Sequence, residues 1–133
     1  MVRIGRLAFL AIAYLFLVSI VVQVFVAGLG IFAGEENFEL HAIFGFTAVH
    51  GLSLLLPIAA AIGRTGRRTI GLGLLLFVVV TVQVALPGLR EGLPIIAALH
   101  PVNALLIFWL ALRILGQART FATSSNPVAI PAH

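Results

Sequence analysis

The chain has 133 residues, of which 62% are hydrophobic and only 9% are charged, and its net charge is +4. Soluble globular domains carry about half apolar and about a quarter charged residues, so this composition excludes an ordinary soluble protein and indicates one domain in a lipid bilayer. Nucleic-acid binding is not indicated, because the basic residues cluster at the ends of apolar segments, where membrane orientation explains them.

Four uncharged segments follow one another along the chain, at residues 7–30, 40–63, 69–89 and 92–112. Each is long enough to cross a hydrocarbon core of about 30 Å as a helix, which takes about 20 residues. The first segment follows a basic start, as a signal peptide does, but its apolar run is longer than that of a signal peptide, so we interpret it as a retained span. The segments are termed span 1 to span 4.

The connections between these spans are short, which makes consecutive helices antiparallel neighbours. We therefore predict an all-α fold, an up-down-up-down bundle of four transmembrane helices within residues 1–116. Residues 117–133 turn polar and contain proline, which predicts a flexible cytoplasmic tail.

The charged residues divide sharply between the two ends of the predicted bundle. Seven of the eight arginines lie at one end, termed the arginine end: Arg3, Arg6, Arg64, Arg67, Arg68, Arg113 and Arg119. Arg90 lies at the other end, termed the glutamate end, with all four acids: Glu35, Glu36, Glu39 and Glu91. The positive-inside rule then predicts a bacterial-type inner (plasma) membrane protein with both termini in the cytoplasm.

The chain also contains an internal repeat. The segment VQVFVAGL at 22–29 aligns with VQVALPGL at 82–89, with five of eight positions identical, and the chain has only three glutamines in all. His41 in span 2 falls opposite His100 in span 4 at nearly the same offset. The bundle is therefore predicted to consist of two repeated helical hairpins, each with a glutamine on its first helix and a histidine on its second.

The repeated histidines predict a cofactor site. Because the chain has no cysteine, any metal must be held by histidine and no c-type haem can be attached covalently. His41 and His100 lie at similar depth on diagonal helices, which we expect to be too far apart for direct ring contact. A planar cofactor between them is predicted, namely one non-covalent haem b with these two residues as its metal ligands.

Neighbouring residues suit this interpretation. Gly45 and Ala104 lie one turn below the two histidines and leave room for a flat ring. Gln23 and Gln83 lie at comparable depth and can bond a ligand imidazole or a propionate, although such glutamines also commonly hold membrane helices together. Arg90, the one arginine at the glutamate end, can pair with a propionate. No catalytic residue is predicted.

His50 does not belong to the same site, because it lies nine residues after His41 and so about 180° around an ideal helix. It is predicted to bond a neighbouring helix, to face a partner subunit in a homodimer or larger membrane complex, or to ligate a second pigment.

Two classes of function remain open. One is a b-type haem protein that serves in electron transfer or as a haem-bearing subunit, rather than as a stand-alone enzyme. The other is a non-redox accessory subunit that binds a chlorophyll-type pigment, carotenoid or lipid, or is structural only. A transporter or channel is disfavoured because no span carries a charged residue in its interior.

Two short strings carry a resemblance to a known family: NFELH at 37–41 and LHPVNA at 99–104. With the layout of residues 23–112, they resemble one half of the eight-span haem A synthases, whose four-helix halves each place a histidine pair on their second and fourth helices. The resemblance implies that His41 and His100 are axial ligands of a b-type haem.

The chain departs from that family at two points. Ala42 stands where the family has an arginine after its second-helix histidine, and a single half lacks the second site that synthase activity needs. A homodimer would restore eight helices. The chain is also similar to small four-span bacterial membrane proteins, which imply no particular activity.

Overall fold

The computed structural model describes residues 1–123, in which every regular element is a helix. Four helical spans are long and apolar enough to cross a membrane: Val2–Phe32, Asn37–Ile62, Arg67–Leu89 and Pro94–Thr123. The predicted all-α fold with four transmembrane-length helices is confirmed. Span 4 continues as helix to Thr123, beyond the boundary placed at residue 116, and the rest of the predicted tail lies outside the described residues.

The four spans form a closed ring of neighbours. Span 1 packs against spans 2 and 4, and span 3 packs against the same two helices, so spans 1 and 3 are one diagonal and spans 2 and 4 the other. This is the arrangement expected for an up-down-up-down bundle with short connections. The two predicted ligand helices are therefore diagonal partners.

The best-packed part of the core lies in the middle of the bundle and toward the arginine end. Span 1 contributes Phe9, Ala13 and Phe16, which recur every three or four residues and so share one helix face. They meet core residues of the other spans, namely Leu56, Leu76, Val80, Leu110 and Ile114. The outward faces are also apolar and exposed, as expected for helices surrounded by lipid.

Two glycines let the backbone of span 1 touch the end of span 2. A Cβ atom on Gly5 would lie 2.5 Å from the backbone nitrogen of Gly63, so no larger residue fits there without moving the chain. The neighbouring Arg6 is buried, and its Nε donates to the carbonyl of Gly63 at 3.2 Å. A cation at the carboxyl end of a helix is favourable, so this contact fastens the arginine end.

Span 2 is not a uniform α-helix. Its segments are α-helical over Asn37–Phe44, π-helical over Gly45–His50 and α-helical again over Gly51–Ile62. A π-turn holds one extra residue, which sets the following residues back by about 100°.

The prolines of spans 2 and 4 lie at different places in their helices. Pro57 lies inside Gly51–Ile62, where it is buried, and Gly73 approaches it so closely that a Cβ there would be 3.2 Å away. Pro101 lies in the first turn of Leu99–Thr123, where a helix has no backbone hydrogen bond to lose. Pro101 therefore removes no bond from the helix Leu99–Thr123, which is separated at Ala98 from the preceding helix Pro94–Ala97.

Candidate cofactor site

His41 and His100 meet across the bundle near its glutamate end. Their ring centroids are 6.2 Å apart and their planes are inclined by 62°. Aromatic rings at about 4.5 to 7 Å interact directly, so the expectation that they are too far apart for contact is wrong. The expectation considered the distance between diagonal helix axes, whereas each histidine side chain extends from its own helix toward the bundle axis.

Each histidine is held by the backbone of the preceding span. The Nδ1 atom of His41 lies 3.1 Å from the carbonyl oxygen of Gln23, and the Nδ1 atom of His100 lies 3.0 Å from that of Gln83. A carbonyl can only accept a hydrogen bond, so Nδ1 carries the proton in both rings. Both Nε2 atoms are therefore left with a lone pair, and the arrangement is the same in the two hairpins.

The Gln23 side chain donates a hydrogen bond to the lone pair on Nε2 of His41. Its Nε2 atom lies 2.9 Å from the carbonyl oxygen of His41 and 3.1 Å from the Nε2 atom of the same residue. Because the carbonyl requires a donor, the orientation of the amide is fixed, and its Oε1 atom is left buried without a hydrogen-bond partner. The His41 ring is thus bonded at both nitrogens by one residue.

The second hairpin differs at this point. The Gln83 side chain turns to Asn103, whose Nδ2 donates to Gln83 Oε1 at 2.9 Å and to the carbonyl of Val79 at 3.0 Å. Among the residues that the structure describes, no hydrogen bond ends on the Nε2 atom of His100. The position of the first hairpin that corresponds to Asn103 is Phe44, which offers no amide.

The remaining predicted site residues lie at different distances from the pair. Gly45 lies against the Gln23 amide, since a Cβ there would be 2.6 Å from Gln23 Nε2. Ala104 is partly buried on span 4, and Arg90 is exposed in the outer turn. Within residues 1–123 the structure describes no contact between Arg90 and either histidine. The structure therefore joins Gln23, Gly45 and Gln83 to the histidine pair but not Arg90.

His50 forms a separate contact with span 3. Thr81 donates its hydroxyl proton to the carbonyl of Phe77 at 2.9 Å, so His50 Nε2, at 3.2 Å from the Thr81 Oγ1 atom, is the donor to it. The His50 ring stacks on Phe77 with centroids 5.2 Å apart and planes inclined by 3°. Of the predicted roles, a bond to a neighbouring helix is confirmed. His133 lies outside the described residues.

Comparison with known proteins gives a family. A family model described as a family of unknown function, DUF6220, matches residues 23–89, which is half of the chain. The chain belongs to the DUF6220 family. No curated protein and no solved structure matches it. The DUF6220 match begins at Gln23 and ends at Leu89, so it includes His41, His50 and Gln83 and stops before His100.

Asn103 and Thr81 are hydrogen-bond partners that the residue pattern of this DUF6220 chain did not indicate. The glutamines were expected to act through their side chains, whereas the bond that both hairpins share comes from the glutamine backbone. The internal repeat was the available signal, because equivalent glutamines and histidines imply equivalent contacts. Asn103 has no such signal, since its repeat partner is phenylalanine.

Proposed function

We propose that this protein is a membrane b-type haem protein in which His41 and His100 are the two axial ligands. The observation that carries the proposal is the repeated bond from each Nδ1 to a glutamine carbonyl. Ligating histidines almost always donate their other ring N–H to such a partner, which fixes the tautomer and orients the ring. Both rings have this arrangement, so the lone pair of each ring is on Nε2, the atom that would ligate a metal; on His41 it is now bonded by the Gln23 amide.

The distance between the rings supports the same proposal. Two imidazoles bound to opposite sides of one metal atom, with metal–nitrogen bonds of about 2 Å, have centroids about 6 Å apart. The observed separation of 6.2 Å matches that spacing. The angle between the two ring planes is not fixed by the metal–nitrogen bonds, because each imidazole can rotate about its own bond to the metal.

The donor set favours a ring cofactor over a bare metal ion. Within residues 1–123 there is no group of three or more histidine, aspartate or glutamate side chains that could hold a metal ion. A structural zinc needs four protein ligands, and this pair supplies two. A porphyrin brings four in-plane nitrogens of its own, so two histidines complete six-coordinate iron with no open position.

The site accepts such a ring only after Gln23 moves. The Gln23 amide now occupies both the lone pair of His41 and the space over Gly45. It also leaves its own Oε1 atom buried without a partner, which is costly in an apolar interior. Withdrawal of the amide would therefore free the ligand nitrogen and the space beside Gly45 together, and would relieve an unsatisfied acceptor.

When bound, haem b would supply one-electron redox chemistry. The part played by the protein is to fix the tautomer and orientation of both imidazoles through the backbone carbonyls of Gln23 and Gln83. This suits electron transfer, or a haem-bearing subunit of a larger complex, better than oxygen chemistry. We also propose that the arginine end faces the cytoplasm of a bacterial-type inner membrane, so that the site lies near the outer surface.

Absorption spectroscopy tests the haem proposal. Protein purified from haem-replete cells should show a low-spin spectrum, and the haem should extract into acidic acetone. His41→Ala or His100→Ala should convert the iron to high spin, and the double variant should lose the haem. His50→Ala is the matched control, because His50 is also a partly buried span 2 histidine but bonds Thr81 instead; it should keep the low-spin spectrum. A colourless preparation, or a double variant with an unchanged spectrum, contradicts the proposal.

One observation favours the second class, a non-redox accessory subunit. Gln23 already bonds both ring nitrogens of His41. This is the arrangement expected if the two residues only hold spans 1 and 2 together. If the subunit is structural only, His41→Ala should lower stability with no spectral change. If the subunit binds a pigment, the purified protein should show a chlorin spectrum instead of a haem spectrum. The partner surface would be the His50 face, where the neighbouring Phe46 is 61% exposed, in a homodimer or a larger complex.

A further inference from the structure

A second candidate site lies at the arginine end, far from the histidine pair. A half-open cavity of about 190 Å³ lies between spans 3 and 4 and is lined by Arg68, Gly71, Leu72, Leu75, Trp109, Arg113 and Gln117. A cavity between spans 1 and 2, by contrast, is lined by apolar residues and glycine only. From its lining we propose that the first cavity, termed the arginine pocket, binds the head group of an anionic phospholipid that carries a hydroxyl, such as phosphatidylglycerol.

The charge around the arginine pocket favours an anionic ligand. Arg68 lies in the first turn of the helix Arg67–Ala85, which has no acidic residue in that turn and no side-chain cap. Positive charge at the amino end of a helix is unfavourable, because the helix dipole is positive there. All four glutamates are at the other end of the bundle, so no carboxylate side chain of the chain relieves this repulsion. A bound phosphate would.

Arg113 adds the second cation from the opposite wall. It follows Leu99 by 14 residues on span 4, which places it about 21 Å along the helix. Its guanidinium lies 5.7 Å from the centroid of the Trp109 ring. Two arginines with a tryptophan between membrane helices are the composition expected of a head-group site at the boundary between lipid and water.

Gln117 supplies an argument that does not depend on charge. Its Oε1 atom is buried and has no hydrogen-bond partner among the described residues, yet the residue lines the cavity. Buried acceptors are normally satisfied, so this atom calls for a donor. A phosphate monoanion offers acceptors to the arginines, whereas a head-group hydroxyl offers the donor that Gln117 Oε1 lacks, once the side chain turns this buried atom toward the cavity.

The apolar side chains that line the pocket indicate that the phosphate belongs to a lipid. Leu72 and Leu75 line the pocket, and Leu75 is 50% exposed on the face that meets the bilayer. A free phosphate would gain nothing from these side chains, whereas acyl chains can lie along them. We therefore assign the pocket to a phospholipid rather than to a soluble phosphate.

Trp109 makes the test direct, because it is the only tryptophan of the chain. Dioctanoyl phosphatidylglycerol titrated into the full-length protein in a neutral detergent should change Trp109 fluorescence saturably. Dioctanoyl phosphatidylcholine, with the same tails and no net charge, should bind about fivefold or more weakly, and glycerol 1-phosphate, with no tails, should give no saturable change. Equal binding of the two lipids, or saturation by glycerol 1-phosphate, overturns the proposal.

Matched variants separate the pocket from general surface charge. Arg68→Gln should weaken phosphatidylglycerol binding about fivefold, which is about 1 kcal/mol. Arg67→Gln removes the same charge from the preceding residue, which does not line the pocket, and should change binding less than about twofold. Arg113→Gln gives a second test from the other helix. Equal losses in Arg67→Gln and Arg68→Gln would show adsorption to a charged surface and contradict a built site.

The hydroxyl contact has its own experiment. Gln117→Leu should weaken binding of phosphatidylglycerol but not of dioctanoyl phosphatidylmethanol, which has the same charge and tails without the glycerol hydroxyls. If Gln117→Leu weakens both lipids equally, the role of Gln117 as an acceptor is wrong. None of these variants touches the histidine pair, so the outcome is independent of the haem proposal.

Discussion

Single polar side chains hold the hairpins of this bundle together, and Asn103 is the clearest case. Its amide donates two hydrogen bonds from span 4 to span 3, one to Val79 and one to Gln83. Hydrogen bonds between membrane helices contribute about 0.6 kcal/mol each on average, so Asn103→Leu should lower the free energy of unfolding by about 1 kcal/mol. Unfolding by sodium dodecyl sulfate in mixed micelles, followed by circular dichroism, measures this loss.

Thr47→Val is the control for Asn103→Leu. The Thr47 hydroxyl donates to the carbonyl of Ile43 in its own helix, so its removal breaks no bond between spans. The midpoint of unfolding should stay close to that of the unchanged protein. If both variants shift the midpoint equally, the bonds of Asn103 do not stabilise the contact between spans 3 and 4.

At the residue scale, the sequence predicted which histidines come together but not what holds them. His41 and His100 were recognisable because the repeat makes them equivalent and the charge pattern gives them the same depth. Their Nδ1 partners are backbone carbonyls, and every residue has one, so no residue type marks them. The contact between the two rings depends on side-chain reach, which helix spacing alone does not give.

At the element scale, hydropathy located all four spans but could not give their ends or internal turns. Hydropathy reports which residues tolerate lipid, whereas a helix continues as long as its backbone bonds are satisfied, as span 4 does to Thr123. The π-turn at Gly45–His50 had no signal in the residue pattern. It changes the face of His50, which an ideal α-helix places about 180° from His41.

The π-turn makes a prediction about deletions in span 2. Because it holds one residue more than an α-helical turn, deletion of Thr47 should convert it to α-helix while both flanking segments keep their faces. Deletion of Leu54, which is also exposed but lies in the α-helical part, should rotate the flanking faces by about 100° against each other. The Thr47 deletion should give a folded, monodisperse protein on size-exclusion chromatography, and the Leu54 deletion should not. Equal yields of folded protein from both deletions would contradict the π-turn.

At the scale of the whole molecule, the ends of the bundle differ in both charge and packing. The arginine end is closed by the contact of Gly5 with Gly63 and by the hydrogen bond that Arg119 Nε donates to the Tyr14 hydroxyl. The glutamate end holds the histidine pair among partly buried residues. The charge division was readable from the sequence, because seven of eight arginines and all four acids separate by span order alone. The tight backbone contact was not, because it depends on how two distant glycines pack.

The same charge division predicts the orientation in the membrane. Arginines next to spans are retained in the cytoplasm, so the loop with Glu36 should be outside and the end of span 4 inside. The chain has no cysteine, so Glu36→Cys and Thr123→Cys each introduce a single thiol, one at each end of the bundle. A membrane-impermeant maleimide should label Glu36→Cys in intact cells and label Thr123→Cys only after the membrane is permeabilised. Labelling of Thr123→Cys in intact cells, with Glu36→Cys protected, would show the opposite orientation and would place the histidine pair near the cytoplasmic surface.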